Sequence, residues 1–250
     1  MKYKLTIGWL YPELMSTYGD RGNIISLTKR CAWRNIDTNL IYLDVGFNKN
    51  DLNKCDLLFM GGAQDRQQEI VVNDLREKSS ILLKLIKNGI PGLYICGAYQ
   101  FLGKYYKDAE GKIIKGLGII NVHTQNPGEK RLIGDIIIKP ELEDLKSLTF
   151  VGFENHGGRT YLGKNVLPFG KVITGFGNNG NDKTEGAIYK NCICTYLHGP
   201  ILPKNPELSD YLIKTAIRKK YKKYILLENL DDNLEEKARE TIAKRLKVKV

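Results

Sequence analysis

Gly92-Leu93-Tyr94-Ile95-Cys96-Gly97-Ala98-Tyr99-Gln100-Phe101-Leu102-Gly103 is the stretch on which the fold of this 250-residue chain turns. Residues 93–95 are a compact apolar run entered from Gly89-Ile90-Pro91-Gly92, the pattern of a short buried strand. Ala98, Phe101, Leu102 and Tyr105 then recur at three- and four-residue spacing, the pattern of a helix. Between them lies a sharp turn carrying Cys96. Gly97 suits a strained backbone there and leaves room for a substrate beside the sulfur. Strand, turn and helix make a nucleophile elbow with Cys in place of Ser. At a helix N-terminus, backbone N–H groups and the helix dipole favour negative charge on the sulfur. The competing reading of the same residues is a buried thiol packing at a strand end, since free Cys is among the most buried residue types.

Upstream of the elbow, strand and helix patterns alternate. Residues 4–10 read as a first strand. A polar loop, Ser16-Thr17-Tyr18-Gly19-Asp20-Arg21-Gly22-Asn23, leads into a helix whose inward stripe is expected to be Ile24, Ile25, Leu27, Cys31 and Ala32. Residues 39–45 and 56–60 are the next strands, and the second runs into Gly61-Gly62-Ala63-Gln64-Asp65. A helix expected from about 74 to 87 carries Leu75, Leu82, Leu83, Leu85 and Ile86, and Asn88-Gly89 closes it. Such alternation, with short connections, predicts an α/β domain with a mostly parallel central sheet and helices on both faces. Functional loops in these sheets lie at the carboxyl ends of the strands, which puts Gly61-Gly62 and Cys96 at one edge. Downstream, residues 113–122, 132–139, 148–154, 171–176, 186–190 and 191–197 are short β-rich runs, expected as additional antiparallel hairpins. Helices follow at about 206–220 and 231–246. Residues 1–220 read as one domain, and 221–250 as its charged helical extension.

Bulk properties narrow the class. Hydrophobic residues are 42% and charged residues 27% of the chain, ordinary for a globular protein. No stretch approaches a membrane span, and the N-terminus lacks the apolar region of a signal peptide. Five cysteines without a tight spacing framework point to free thiols in a reducing, cytoplasmic setting. The net charge of +11 permits an anionic partner, but the basic residues are spread widely and read as a lysine-rich solvated surface, with no nucleic-acid partner expected. There is no P-loop and no dinucleotide fingerprint, so any ATP is expected to bind elsewhere.

A cysteine nucleophile needs a base, and the chain has three histidines. His198 ends an apolar run and is followed by Gly199-Pro200, which sets it at the same sheet edge as Cys96. The two form a candidate thiolate–imidazole pair for acyl transfer through a thioester; alternatively His198 caps a loop. Oxyanion donors are expected from the N–H of Gly97 and from Gly62 or its neighbour, each such donor being worth about 3 kcal/mol. Cys192 and Cys194 share a strand face with no evident third and fourth metal ligand, so they read as buried thiols and no metal is expected. His156 lies in a polar loop, where it touches substrate or caps a turn. His123 has no catalytic company.

The Cys96 elbow, Gly61-Gly62 and Thr195-Tyr196-Leu197-His198-Gly199-Pro200 resemble a class I glutamine amidotransferase domain of flavodoxin-like architecture, in the cobyric-acid-synthase-like branch. Tyr11-Pro12-Glu13-Leu14-Met15, Tyr18-Gly19-Asp20-Arg21-Gly22-Asn23, Lys130-Arg131-Leu132-Ile133-Gly134-Asp135 and Gly152-Phe153-Glu154-Asn155-His156 are similar to the GatD family of glutaminase subunits of lipid II isoglutaminyl synthase. The resemblance runs from residue 3 to about 220. It implies hydrolysis of L-glutamine through a thioester on Cys96, with His198 as base and ammonia delivered to a MurT-like Mur-ligase subunit. That partner would carry ATP and Mg and amidate the D-glutamate of the lipid II stem peptide in peptidoglycan synthesis, near the inner face of the membrane. Arg131 would hold the glutamine carboxylate and Gln100 would line the same pocket. Many class I members have a Glu two residues after the histidine; here that position is Pro200, so a Cys–His dyad or a carboxylate from elsewhere, such as Glu154, is expected. The alternatives are an amidotransferase for another carboxylate, cobyric-acid-like, and a stand-alone Cys-elbow thiol hydrolase. The first is disfavoured because those enzymes carry a fused synthetase domain.

Overall fold

A computed structural model describes residues 2–63 and 65–248; Gln64, in the loop read after the third strand, lies outside them. The central sheet runs in the order β13 (Ala187–Tyr189), β14 (Cys192–Thr195), β4 (Gly92–Ile95), β3 (Leu57–Met60), β1 (Lys4–Leu10), β2 (Asp37–Leu43). All its pairings are parallel except that of β13 with β14. Every residue of β3, β4 and β14 is buried, which is why these strands read as unbroken apolar runs rather than alternating ones. Gly8 in β1 leaves no room for a side chain: a Cβ there would stand 2.6 Å from Cys55 Sγ.

The helices are α1 (Arg21–Ala32), α2 (Asp65–Lys87), α3 (Gly97–Leu102), α4 (Ile201–Lys204), α5 (Pro206–Tyr221) and α6 (Asn233–Arg245). Two corrections concern α1 and α2. The buried residues of α1 are Asn23, Ile24, Leu27, Arg30 and Cys31, whereas Ile25 is 48% exposed and Ala32 is also exposed. A polar asparagine and an ion-paired arginine occupy the inward face, so an apolar count alone misaligns the stripe. Helix α2 starts about nine residues before the expected Asp74; its first turn, Asp65 to Glu69, is polar, and Val71 and Val72 extend the buried face of Leu75 toward the N-terminus. Tyr105, expected on the elbow helix, belongs instead to the first strand of a second sheet.

That second sheet has the order β10 (Arg159–Leu162), β7 (Val122–Gln125), β5 (Tyr105–Lys107), β6 (Ile113–Lys115). A third, antiparallel sheet has the order β12 (Thr184–Glu185), β11 (Gly170–Thr174), β8 (Leu132–Pro140), β9 (Phe150–His156). Each sends a residue to the carboxyl edge of the central sheet, Tyr106 of β5 and His156 of β9 lining one cavity with Cys96. The third sheet meets that edge through a bridge of Phe153 with His198, made by Phe153 N–H to His198 O at 3.1 Å and His198 N–H to Phe153 O at 2.7 Å.

Residues beyond α5 are tied to the core. Arg30 reaches Asp210 (2.7 Å) and Asp232 (2.5 Å), and Arg34 reaches Asp210 (2.7 Å) and the carbonyl of Glu228 (2.6 Å). In α6, Arg239 pairs with Glu207, and Ala243 packs on Ile137 and Val151. None of the helices among the described residues is long and apolar enough to cross a membrane.

Candidate active site

Three adjacent parallel strands end at the same edge. After β3 comes Gly61-Gly62, after β4 comes Cys96, and three residues after β14 comes His198. Cys96 sits between strand and helix with φ 54° and ψ −105°, a region that costs a non-glycine residue on the order of 1–3 kcal/mol. The strain expected around Gly97 therefore falls on the cysteine itself, and Gly97 is the first residue of α3. Two backbone bonds hold the elbow: Cys96 N–H donates to Thr195 O (2.9 Å), and Gln100 N–H donates to Cys96 O (3.0 Å).

Gly62 separates the two reactive side chains. A Cβ built on it would stand 2.9 Å from His198 Cε1, 3.3 Å from Cys96 Cβ and 2.8 Å from Thr17 Oγ1. Any larger residue would wedge the pair apart. The Gly62 N–H, expected as an oxyanion donor, instead donates to Asp20 Oδ2 at 2.7 Å. That hydrogen is engaged by Asp20, where the expectation named Gly62 or its neighbour as the donor.

His198 is fully buried, with the Tyr18 ring edge-on at 5.0 Å. Its Nδ1 lies 3.6 Å from Asp20 Oδ1. Burial disfavours the charged ring, but the Cys96 sulfur and the Asp20 carboxylate outweigh it, and the imidazole is pushed up to about 10. Glu154, the carboxylate considered for orienting His198, is engaged otherwise. Its two oxygens accept from Phe176 N–H (2.7 Å) and Gly177 N–H (2.8 Å), and its nearest histidine is His156, at 3.8 Å. Sequence reasoning missed Asp20 because it lies far upstream; its only signal was membership of the Tyr18-Gly19-Asp20-Arg21-Gly22-Asn23 motif.

A cavity of about 220 Å³ opens over the sulfur, lined by Cys96, Gln100, Arg131, Asn155, His156 and Tyr18 among others. Arg131, expected to hold the glutamine carboxylate, is among the lining residues, its guanidinium donating from Nε to Asn155 Oδ1 and from Nη2 to Asn155 O, both 2.8 Å. Gln100 is buried, donates to the Tyr196 hydroxyl at 3.2 Å and leaves its Oε1 without a partner among the described residues. His156, expected in a loop, is the buried last residue of β9, stacked on Tyr196 at 3.8 Å and bonded through Nδ1 to Gly158 O at 2.7 Å. Burial pushes its ring toward the neutral form.

The remaining candidates lie elsewhere. His123 stacks between Tyr105 and Tyr161 on the second sheet, each ring 5.3 Å away. Cys192 and Cys194 are buried with their sulfurs 3.9 Å apart, and no group of three metal-binding side chains occurs among the described residues.

A cysteine in a strained elbow, a buried imidazole across a glycine and an arginine over the same cavity suit attack on the amide of a small zwitterion. Residues 6–206 match the CobB/CobQ-like glutamine amidotransferase domain. Lipid II isoglutaminyl synthase (glutamine-hydrolyzing) subunit GatD of Staphylococcus aureus is 43% identical, the match covering 87% of this chain and 86% of that protein. The subunit of the same name from Streptococcus pneumoniae is 42% identical over 95% of this chain and 90% of that protein. A probable cobyric acid synthase of Methanothermobacter thermautotrophicus is 31% identical, covering 71% of this chain and 38% of that protein. A crystal structure of a glutamine amidotransferase shares the fold, with TM-score 0.59, 16% identity and coverage of 84% of this chain and 98% of that one. The chain therefore belongs to the CobB/CobQ-like glutamine amidotransferase family and, within it, to the GatD branch.

Proposed function

We propose that this chain is the glutaminase subunit of a lipid II isoglutaminyl synthase and that it works through a thioester on Cys96. His198 takes the thiol proton, and the sulfur attacks the carboxamide carbon of L-glutamine. The C–N bond breaks as the imidazolium returns its proton to the departing ammonia. Water then cleaves the γ-glutamyl thioester to glutamate and restores the thiol. Arg131 holds the α-carboxylate, for which a guanidinium fork is suited, and Gln100 lines the same pocket. Gly97 N–H and an amide beside Gly62 stabilise the tetrahedral oxyanion. The observation that carries this reading is Cys96 in its strained elbow facing His198 across Gly62, with Arg131 over the same cavity.

The acceptor half of the reaction rests on the two GatD relatives, whose names describe subunits of lipid II isoglutaminyl synthase. Ammonia passes to a MurT-like Mur-ligase partner that binds ATP and Mg and amidates the D-glutamate of the stem peptide. Passage is shielded from bulk water, which would protonate ammonia and remove its nucleophilicity. The pair works in the cytoplasm, at the inner face of the membrane, where the lipid-linked acceptor resides. Residues 1–220 form the catalytic domain and 221–250 a helical extension of it. The test is to measure glutamate release and lipid II amidation by this chain alone and co-expressed with its MurT-like subunit, with and without ATP. Amidation only with partner, ATP and intact Cys96 is expected; amidation that persists in Cys96→Ala with glutamine as the nitrogen source would refute it.

A further inference from the structure

Asp20 sits between the 3₁₀ turn Thr17–Gly19 and α1, and its side chain is fully buried. Its two oxygens face two parts of the site. Oδ2 accepts the Gly62 N–H at 2.7 Å. Oδ1 has no hydrogen-bond partner among the described residues and lies 3.6 Å from His198 Nδ1, whose ring nitrogens are likewise without one. Orphaned acceptor and donor groups in a buried place are costly until they are joined, and catalytic hydrogen bonds are often long before substrate binds.

The surrounding backbone keeps this carboxylate in place. Thr17 N–H donates to Gly62 O (3.3 Å), and Asp20 N–H donates to Thr17 O (3.2 Å). A Cβ on Gly61 would meet Met15 O at 2.4 Å and Asp20 Oδ2 at 2.6 Å, so only glycine lets the two loops approach this closely. We propose that Asp20 is a positioning residue for the glutaminase reaction: one carboxylate orients His198 through Nδ1 and pins the Gly61-Gly62 loop, so a single side chain sets both the base and the oxyanion wall. The inference rests on the reading of Cys96 and His198 as the reacting pair. With Nδ1–H directed at Asp20, Nε2 is left to exchange the Cys96 proton, and the imidazolium that forms gains a buried counter-charge. The charged and titratable groups around that ring are Cys96 from the elbow, Asp20 from the loop before α1, Glu185 from β12, His156 from β9 and the Tyr18 ring. After burial and the sulfur, Asp20 is the next influence on the ring.

The experiment compares full-length wild type, Asp20→Asn and Asp20→Glu. Iodoacetamide alkylation of Cys96 is followed across pH by mass spectrometry, and kcat and KM for glutamate release are measured with the partner subunit present. Cys31, Cys55, Cys192 and Cys194 are buried, so rates are read only from molecules in which these four stay unmodified, which restricts the measurement to folded protein. In Asp20→Asn the alkylation profile is expected to move to higher pH than that of wild type, because the imidazolium beside the sulfur loses its counter-charge. Its kcat is expected to fall about 10²-fold with KM changed less than threefold, and Asp20→Glu is expected to recover part of the loss. An Asp20→Asn protein with the wild-type midpoint and kcat overturns the proposal and leaves the Cys96–His198 reading standing. A wild type with ordinary Cys96 reactivity and no glutamate release overturns both.

Discussion

Glu185 shows how a single residue near the site carries a pH signature of its own. It is fully buried and accepts the Tyr196 N–H at 2.6 Å and the Thr195 hydroxyl at 3.1 Å. Burial outweighs those bonds and pushes its carboxyl from 4.5 up to about 8. Between those values the folded chain holds a proton that the unfolded chain has released, so stability must fall as pH rises through this window. Glu185→Gln keeps the shape and an acceptor for Tyr196 N–H but cannot ionise. Urea midpoints at pH 5.5 and 8.5 are expected to fall less in Glu185→Gln than in wild type; an equal fall would show that Glu185 is not held protonated. Cys96, His198 and Arg131 were all legible in the sequence because their neighbours mark them: an apolar run into a Cys-Gly turn, an apolar run into His-Gly-Pro, and a recognisable hairpin motif. Asp20 and Glu185 were not, since a lone carboxylate in a polar loop or a short strand carries no period and no spacing.

At the scale of elements, the site is made by three neighbouring strands ending together, with β3, β4 and β14 each delivering one member. Parallel strands forced this, and the continuous apolar runs of 57–60, 93–95 and 192–195 made it readable. The polar start of α2 and the mixed inner face of α1 escaped, as did the position of His156 at the end of β9, because a strand end in Asn-His-Gly-Gly looks like a loop. Gly62 is the narrowest point between elements. Gly62→Ala is expected to press on His198 Cε1 and Thr17 Oγ1, to leave the urea midpoint close to wild type and to lower glutamate release by at least 10²-fold. Retention of more than a tenth of the rate would show that the pair tolerates displacement and that Gly62 is not a spacer between them.

For the whole molecule, the family resemblance carried by the elbow and the flanking motifs agrees with the comparisons, and the α/β class with its antiparallel additions is the fold observed. The sequence did not reveal how residues beyond α5 attach, because the contacts are between distant charges. Arg30 in α1 and Arg34 just after it converge on Asp210 and Asp232, and Arg239 in α6 meets Glu207. Arg30 is buried on α1 and Arg34 is buried just past its C-terminus, so the extension is fastened to the helix that begins immediately after Asp20. Everything said of function depends on the sulfur of Cys96 becoming acylated with His198 as its base. The most direct measurement is intact-mass analysis after treatment with a diazoketone analogue of glutamine, with the modified residue located by peptide mapping. One adduct per chain on Cys96, blocked by excess L-glutamine and lost in His198→Ala, is the predicted result; an adduct on another cysteine, or one that forms as fast without His198, would contradict it.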